Sequence, residues 1–260
     1  MPDELLVLGS GAGIISQRRF ASAYALTVAG KLFLLDCGAP VTNLLYQYGY
    51  DPLDVEALFL SHWHMDHVAG LGLLLTHNHL RQRPAPLCIY GPRGSRGKIK
   101  RLLTDSFLLP EELAYPLNVI NIKPQQNYKE ALIEVAYFKT RHLERSRYRT
   151  RFGNKAVAYG MIVNGPGWRL VYSGDLRTSR ELTPYINGCN LLIHELTHPA
   201  LGEIVEFAES AQVPHLLLSH IAPEYDEAPE IITHAFAGRF SGRLTIARDG
   251  TRVQLSPTLS

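Results

Sequence analysis

A chain of 260 residues of which 46% are hydrophobic can bury a full core, which excludes a disordered or low-complexity protein. A formal net charge of +2 is too small to argue for nucleic-acid binding by itself. Three cysteines, Cys37, Cys88 and Cys189, exclude a disulfide framework. The acidic start Met1-Pro2-Asp3-Glu4 is unlike a signal peptide, and no apolar run approaches the ~20 residues that span a bilayer, so a cytoplasmic protein without membrane contact is expected.

In chain order, residues 5–8 form a buried-strand pattern. Gly9-Ser10-Gly11-Ala12-Gly13 follows with no helical pattern behind it, which suits a loop near the site better than a dinucleotide fingerprint. Residues 24–28 and 32–36 flank Ala29-Gly30-Lys31, a hairpin-like break. Val41, Leu44, Leu45 and Tyr48 mark one helix face, with Gly49 as its stop. A short apolar run ends at Leu60, and Val68, Leu71 and Leu75 predict a helix soon after it. Residues 87–90 read as a strand stopped by Gly91-Pro92, and further strands are expected at 133–138, 156–163 and 169–172. Residues 191–193 and 216–218 are continuous apolar runs of the buried-strand kind. Between them Leu201, Ile204, Val205 and Ala208 mark an amphipathic helix, and Asp249-Gly250 is a hairpin turn signal. The alternation predicts one α/β domain over 1–260, with two strand-rich halves and helices outside.

Residues 61–67 read Ser-His-Trp-His-Met-Asp-His, placing His62, His64, Asp66 and His67 within six positions. Imidazole lone pairs and carboxylate oxygens are metal donors, and packing gives no reason to crowd them so tightly. The cluster sits where a buried strand meets the surface, the usual place for a site in an open α/β sheet. His142, Asp175 and His220 each end a strand-like run in the same way, and Gly174 before Asp175 permits a tight turn that can aim a carboxylate.

This pattern resembles the metallo-β-lactamase-fold hydrolases, whose signature is His-x-His-x-Asp-His followed by a His, an Asp and a His. The resemblance spans nearly the whole chain and implies a four-layer αβ/βα sandwich. It also implies a ligand set: His62, His64 and His142 for one divalent ion, Asp66, His67 and His220 for a second, and Asp175 bridging them. Asp36, in Leu35-Asp36-Cys37-Gly38, is expected to brace the ligand loop. Within the superfamily the chain looks nearest the ribonuclease Z branch. Residues 70–75 and 87–94 resemble that branch's Gly-Leu-rich helix and Tyr-Gly-Pro strand end. Ile193-His194-Glu195-Leu196-Thr197 resembles its His-Glu-Ala-Thr motif, which implies a phosphate-contacting or proton-donating role for His194. The branch's His-Ser-Thr motif is missing. Its long tRNA-gripping arm has little room, since His142 and Asp175 are 33 positions apart. A smaller phosphodiester therefore suits the sequence better than a transfer RNA.

Arg141, Arg145 and Arg147 lie in a basic stretch around His142 and are candidates for substrate binding, because guanidinium forks recognise phosphate or carboxylate oxygens. A second basic run, Arg93, Arg96, Lys98, Lys100 and Arg101, has spacing that a surface helix would spread around its circumference. The expected function is a binuclear metal-dependent hydrolase of a phosphodiester, working through a metal-bridging hydroxide, with Asp66, Asp175 and His194 as the catalytic residues. Zinc suits the mixed donors, with manganese or iron as alternatives. The substrate would be an anionic small molecule, a nucleotide or an RNA end, and family resemblance makes a homodimer reasonable. Hydrolysis of a lactone, thioester or sulfate ester, or a non-catalytic metal-binding role, would use the same ligands.

Overall fold

In β1 (Glu4–Gly9), Leu5 and Val7 face one side and Leu6 and Leu8 the other, and all four are buried. A strand covered on both faces needs a layer above and a layer below, and that requirement is met on both sides of the molecule. The structure is a computed structural model that describes residues 2–123, 126–144 and 146–255. One seven-stranded sheet contains β1, β2 (Ala23–Val28), β3 (Lys31–Leu35), β4 (Val55–Phe59), β5 (Leu87–Gly91) and β6 (Leu117–Asn121), with β14 (Arg252–Gln254) beside β1. The second has the order β13-β12-β11-β10-β9-β8-β7. Its strands are β7 (Asn127–Glu130), β8 (Ile133–Thr140), β9 (Ala158–Gly165), β10 (Trp168–Tyr172), β11 (Leu191–Leu196), β12 (His215–Ile221) and β13 (Arg243–Ile246).

The sheets pack face to face over one core that includes Leu5, Leu26, Phe33 and Phe59 from the first and Val135, Met161, Leu170 and Ile193 from the second. A separate core lies under α1 (Val41–Gln47), α3 (Leu71–Leu80) and α4 (Ser95–Asp105) on the outer face of the first sheet. A third lies under α6 (Leu201–Ala211) and α8 (Glu230–Phe236) on the outer face of the second. Among the described residues the other α-helices are short: α2 (Met65–Val68), α5 (Ser146–Phe152) and α7 (Glu224–Glu227). The result is the four-layer αβ/βα sandwich. From β3 to β6 and from β10 to β13 all pairings are parallel, so the strands in each run end at the same edge. No helix among the described residues is long and apolar enough to cross a membrane.

Three features differ from the sequence reading. Asp249-Gly250 does not close a hairpin: β13 pairs with β12 in one sheet and β14 with β1 in the other, so the turn carries the chain between sheets. The helix expected over Val68, Leu71 and Leu75 is split between α2 and α3. Gly70 lies at the break, where an added Cβ would sit 2.7 Å from Val41 Cγ1 and 2.9 Å from the Cys37 carbonyl. The edge strands β6 and β7 are half exposed and carry no clean apolar pattern, so nothing in their composition marks them as strands.

His215 opens β12 with Nε2 2.8 Å from the Thr245 hydroxyl. Burial, and then the Arg243 charge, depress its pKa to about 4. The unfolded chain takes up a proton there near pH 6.5 while the folded one does not, so this residue's share of stability is lost as pH falls from about 6.5 to about 4. We therefore expect His215→Gln to lose less stability than the parent between pH 7 and pH 4.5 in urea denaturation. An unchanged pH dependence would refute this.

Candidate metal centre

All the expected ligands lie where strands end at one edge of the sandwich. After β4 the chain runs extended through His62 to His64, which caps α2, and the first turn of that helix presents Asp66 and His67. His142 follows β8, Asp175 follows β10, and His220 sits near the end of β12. Local backbone conformation does the aiming. Gly174 has φ +54°, and an added Cβ there would lie 2.3 Å from the Tyr159 carbonyl. Asp36 and His220 also occupy the left-handed region, at φ +57° and +50°, despite having side chains. Such strain costs about 1–2 kcal/mol per residue and persists only where the surroundings enforce it.

The structure brings seven of the expected residues together. One donor atom from each of His62, His64, His142 and Asp175 lies within 4.8 Å of the others, and the same holds for Asp66, His67 and His220. Nε2 of His142 is 3.1 Å from Nδ1 of His64, and the Nε2 atoms of His67 and His220 are 3.3 Å apart. Asp175 lies between the two groups: Oδ2 is 3.5 Å from both His62 and His142, and Oδ1 is 3.2 Å from His67 and 3.5 Å from His220. Two converging buried atoms, Nε2 of His62 and Oδ1 of Asp175, make no hydrogen bond. Buried polar atoms without partners are costly, and metal held within the donor groups would satisfy them. The donor set therefore fits divalent metal.

Asp36, fully buried, sets the orientation of two of these rings. Oδ1 accepts the Ser61 N–H at 2.7 Å. Oδ2 accepts the Ser61 hydroxyl, Nδ1–H of His67 and the Tyr172 hydroxyl, each at 2.7 Å. With its proton given to Asp36, the Ser61 hydroxyl is left to accept from Nδ1–H of His62 at 3.0 Å. Both rings consequently turn Nε2 towards the cluster, the outer hydrogen bonding that metal-binding imidazoles require.

Charge follows the same plan. Burial opposes a proton on His67, but Asp175 and Asp36 outweigh it and hold the ring well above the ordinary histidine value. On His220 burial is likewise outweighed, by Asp175, Asp66 and Glu195, and its pKa rises to about 10. Burial lowers His142 to about 4, and burial together with the His67 charge holds His62 well below the ordinary value. Burial also opposes ionisation of Asp66, yet the hydrogen bond and charge of His220 and the charge of His67 bring it down to about 2. The cluster demands positive charge at its centre, and protons or metal ions can supply it.

His194 is not brought to the cleft. It is fully buried in β11, with Nδ1–H donating to the Glu195 carbonyl at 2.6 Å and the Ser179 hydroxyl 3.1 Å from Nε2. Both nitrogens are committed, and burial lowers its pKa. The next residue matters instead. The Glu195 carboxylate is buried among the N–H groups of Leu176, Thr197 and His198 and lies 2.9 Å from Nδ1 of His198. His198, whose side chain is one quarter exposed, shares the cleft with His64, Asp175 and His220. Burial lowers its pKa, but Glu195 and Asp175 raise it above the ordinary value overall. The sequence signal for His198 was available: it follows a buried strand closely, as the other site histidines do.

Arg141 does not line the cleft. Its side chain is 57% exposed with Nε 3.3 Å from Glu144, and its N–H donates to Glu181. Arg145 and the side chain of Arg147 lie outside the described residues. The stretch that carries them includes α5. The second basic run forms much of α4, where Lys98 packs over the Trp63 ring at 4.7 Å.

The profile of the family described as "Anti-Pycsar protein Apyc1" matches residues 4–230. Ribonuclease Z of Marinobacter nauticus is 28% identical over 313 aligned positions, which cover 95% of this chain and 94% of that protein. Among solved structures, the metallo-beta-lactamase fold protein YhfI from Bacillus subtilis superposes with a TM-score of 0.80 at 22% identity, covering 98% of this chain and 100% of that one. The short form of human tRNase Z superposes with a TM-score of 0.76 at 22% identity, covering 97% and 99%. The fold is thus that of the metallo-β-lactamases, and the chain is ribonuclease Z-like.

Removing the central carboxylate should remove metal. Asp175→Ala is expected to retain less metal per chain than the parent in elemental analysis. Gly174→Ala should do the same indirectly, by displacing Asp175. Metal content equal to the parent's in Asp175→Ala would refute a ligand role for Asp175.

Proposed function

Because the chain belongs to the Anti-Pycsar protein Apyc1 family and is a metal-dependent hydrolase, we propose that it cleaves a phosphodiester, with two divalent ions held by His62, His64, His142, Asp66, His67 and His220 and shared by Asp175. The observation that carries this reading is the pair of ligand groups meeting at the buried Asp175 carboxylate. Phosphodiester as the substrate class is supported by the similarity to ribonuclease Z, whose name describes action on RNA. RNA ends and small nucleotide phosphodiesters both belong to that class. The mixed imidazole and carboxylate donors favour zinc. Exposed Leu73 and Leu80 on α3, beside exposed Tyr46, support a homodimer through that helix face.

Two such ions, when bound, supply an activated water and offset negative charge on the phosphoryl oxygens. The remaining work falls to the chain's own residues. Asp36 and Ser61 keep His62 and His67 facing inward. Glu195 fixes His198 through Nδ1 and favours its protonated form, so that Nε2 can deliver a proton to the departing oxygen. His198 takes the role that the sequence reading gave to His194.

Hydrolysis of bis-(p-nitrophenyl) phosphate by metal-analysed protein tests the reaction class. We expect turnover in the parent and none in His62→Ala. Turnover of lactone, thioester or sulfate esters alone would overturn the phosphodiester assignment. His198→Gln should keep both ions and lose roughly 10²–10⁴-fold in kcat, the range for a positioned proton donor. Loss of an ion from His198→Gln would make His198 a ligand instead, in keeping with its position within 4.8 Å of Asp175 and His220 donors.

A further inference from the structure

The segment from Ser10 to Ser22, which joins β1 to β2, supplies none of the clustered donor atoms and is fastened at both ends. Ile221 N–H donates to the Ser10 carbonyl at 2.8 Å. The Asp249 carboxylate accepts the N–H and hydroxyl of Ser10, at 2.8 and 2.7 Å, and the N–H of Phe20 at 2.7 Å. Arg19 pairs with Asp226 at 2.5 Å, with side chains only 6% and 10% exposed, and the Ser16 hydroxyl donates to the same carboxylate. Between these anchors the tip carries Ile14 and Ile15, 72% and 82% exposed.

A firmly held loop that leaves two large apolar side chains in water gives up burial free energy, and its position suggests a use. Gly13 packs beside Asp66, where an added Cβ would be 3.3 Å from Oδ2. Ala12, Gly13 and Ile14 line a cleft of about 220 Å³ together with Ala222 and Pro223. His64, Asp66, Asp175, Thr197, His198 and His220 line the same cleft. It therefore sets potential metal donors and proton carriers beside a group of small and apolar residues. A phosphodiester seated with its phosphoryl oxygens on the donors can lay an organic substituent along those apolar residues.

We propose that the tip, with Ile14 at its head, is the subsite for the organic group of the ester, and that this group presents a flat apolar face, as an aryl ring or a nucleobase does. The Asp226 and Asp249 anchors hold the subsite at a set distance from the reacting phosphorus. The proposal rests on the phosphodiester reading, and its test does not require turnover.

Phenylphosphonate and inorganic phosphate serve as probes, with binding to the metal-loaded protein followed by calorimetry. The parent should bind phenylphosphonate more tightly than phosphate. Ile14→Ser should reduce that preference roughly tenfold with phosphate affinity and metal content unchanged, and Ile14→Leu should restore it. With bis-(p-nitrophenyl) phosphate the serine variant should raise KM and leave kcat within about twofold. No preference for phenylphosphonate in the parent, or an equal preference in Ile14→Ser, would overturn the subsite. Failure of the phosphodiester reading would show separately, as a parent protein that binds the phosphonate and hydrolyses no phosphodiester.

Discussion

The Asp36 carboxylate is the constraint on which the rest of the site depends. It is fully buried, follows β3 in a left-handed backbone conformation, and accepts four hydrogen bonds from three residues. Ser61 and His67 reach it from the ligand loop after β4, whereas Tyr172 comes from β10 in the opposite sheet. A buried anion is tolerable only when its lone pairs are filled. The same requirement makes Asp36 a fixed point against which both sheets are registered. Tyr172 lies three residues before Asp175, so the contact that completes Asp36 also delivers the Asp175 carboxylate to the donor cluster.

Parallel pairing in each half of the sandwich turns this local bond into a site. β3 and β4 end at the same edge, as do β10, β11 and β12. Residues just past those ends are therefore gathered at one rim without long connecting loops. Tyr159 N–H donates to the Ser61 carbonyl across the gap at 3.1 Å, joining the second sheet directly to the ligand loop. The donors can then converge while their backbones remain hydrogen-bonded, which keeps such a charged cluster compatible with a stable core.

The contrast between His194 and His198 shows where sequence reasoning loses resolution. His194 ends an apolar run and matches a family motif, but its strand turns it into the layer beneath the rim, where Ser179 and its neighbour's carbonyl occupy both nitrogens. Glu195, one residue on, points the other way, as alternation along a strand requires, and so it meets His198. The cleft's histidine is selected by strand phase and by the bulge between β11 and β12 near Glu195. Neither can be read from residue identity.

What the sequence determined by itself was chemistry concentrated over short distances. His62, His64, Asp66 and His67 are close enough in the chain that any compact local structure keeps them together, and the continuous apolar runs at 191–193 and 216–218 read as strands buried on both faces. The tertiary structure decided everything that depends on two distant segments meeting. It sent β14 to the first sheet, where it pairs antiparallel with β1, instead of pairing it with β13. It placed Asp36 against Tyr172, the Glu195–His198 pair beside Asp175 and His220, and the exposed Ile14 tip at the cleft that the donors line. Those relations come from sheet pairing and strand phase, which arise from contacts made throughout the fold and leave no mark on a local stretch of residues.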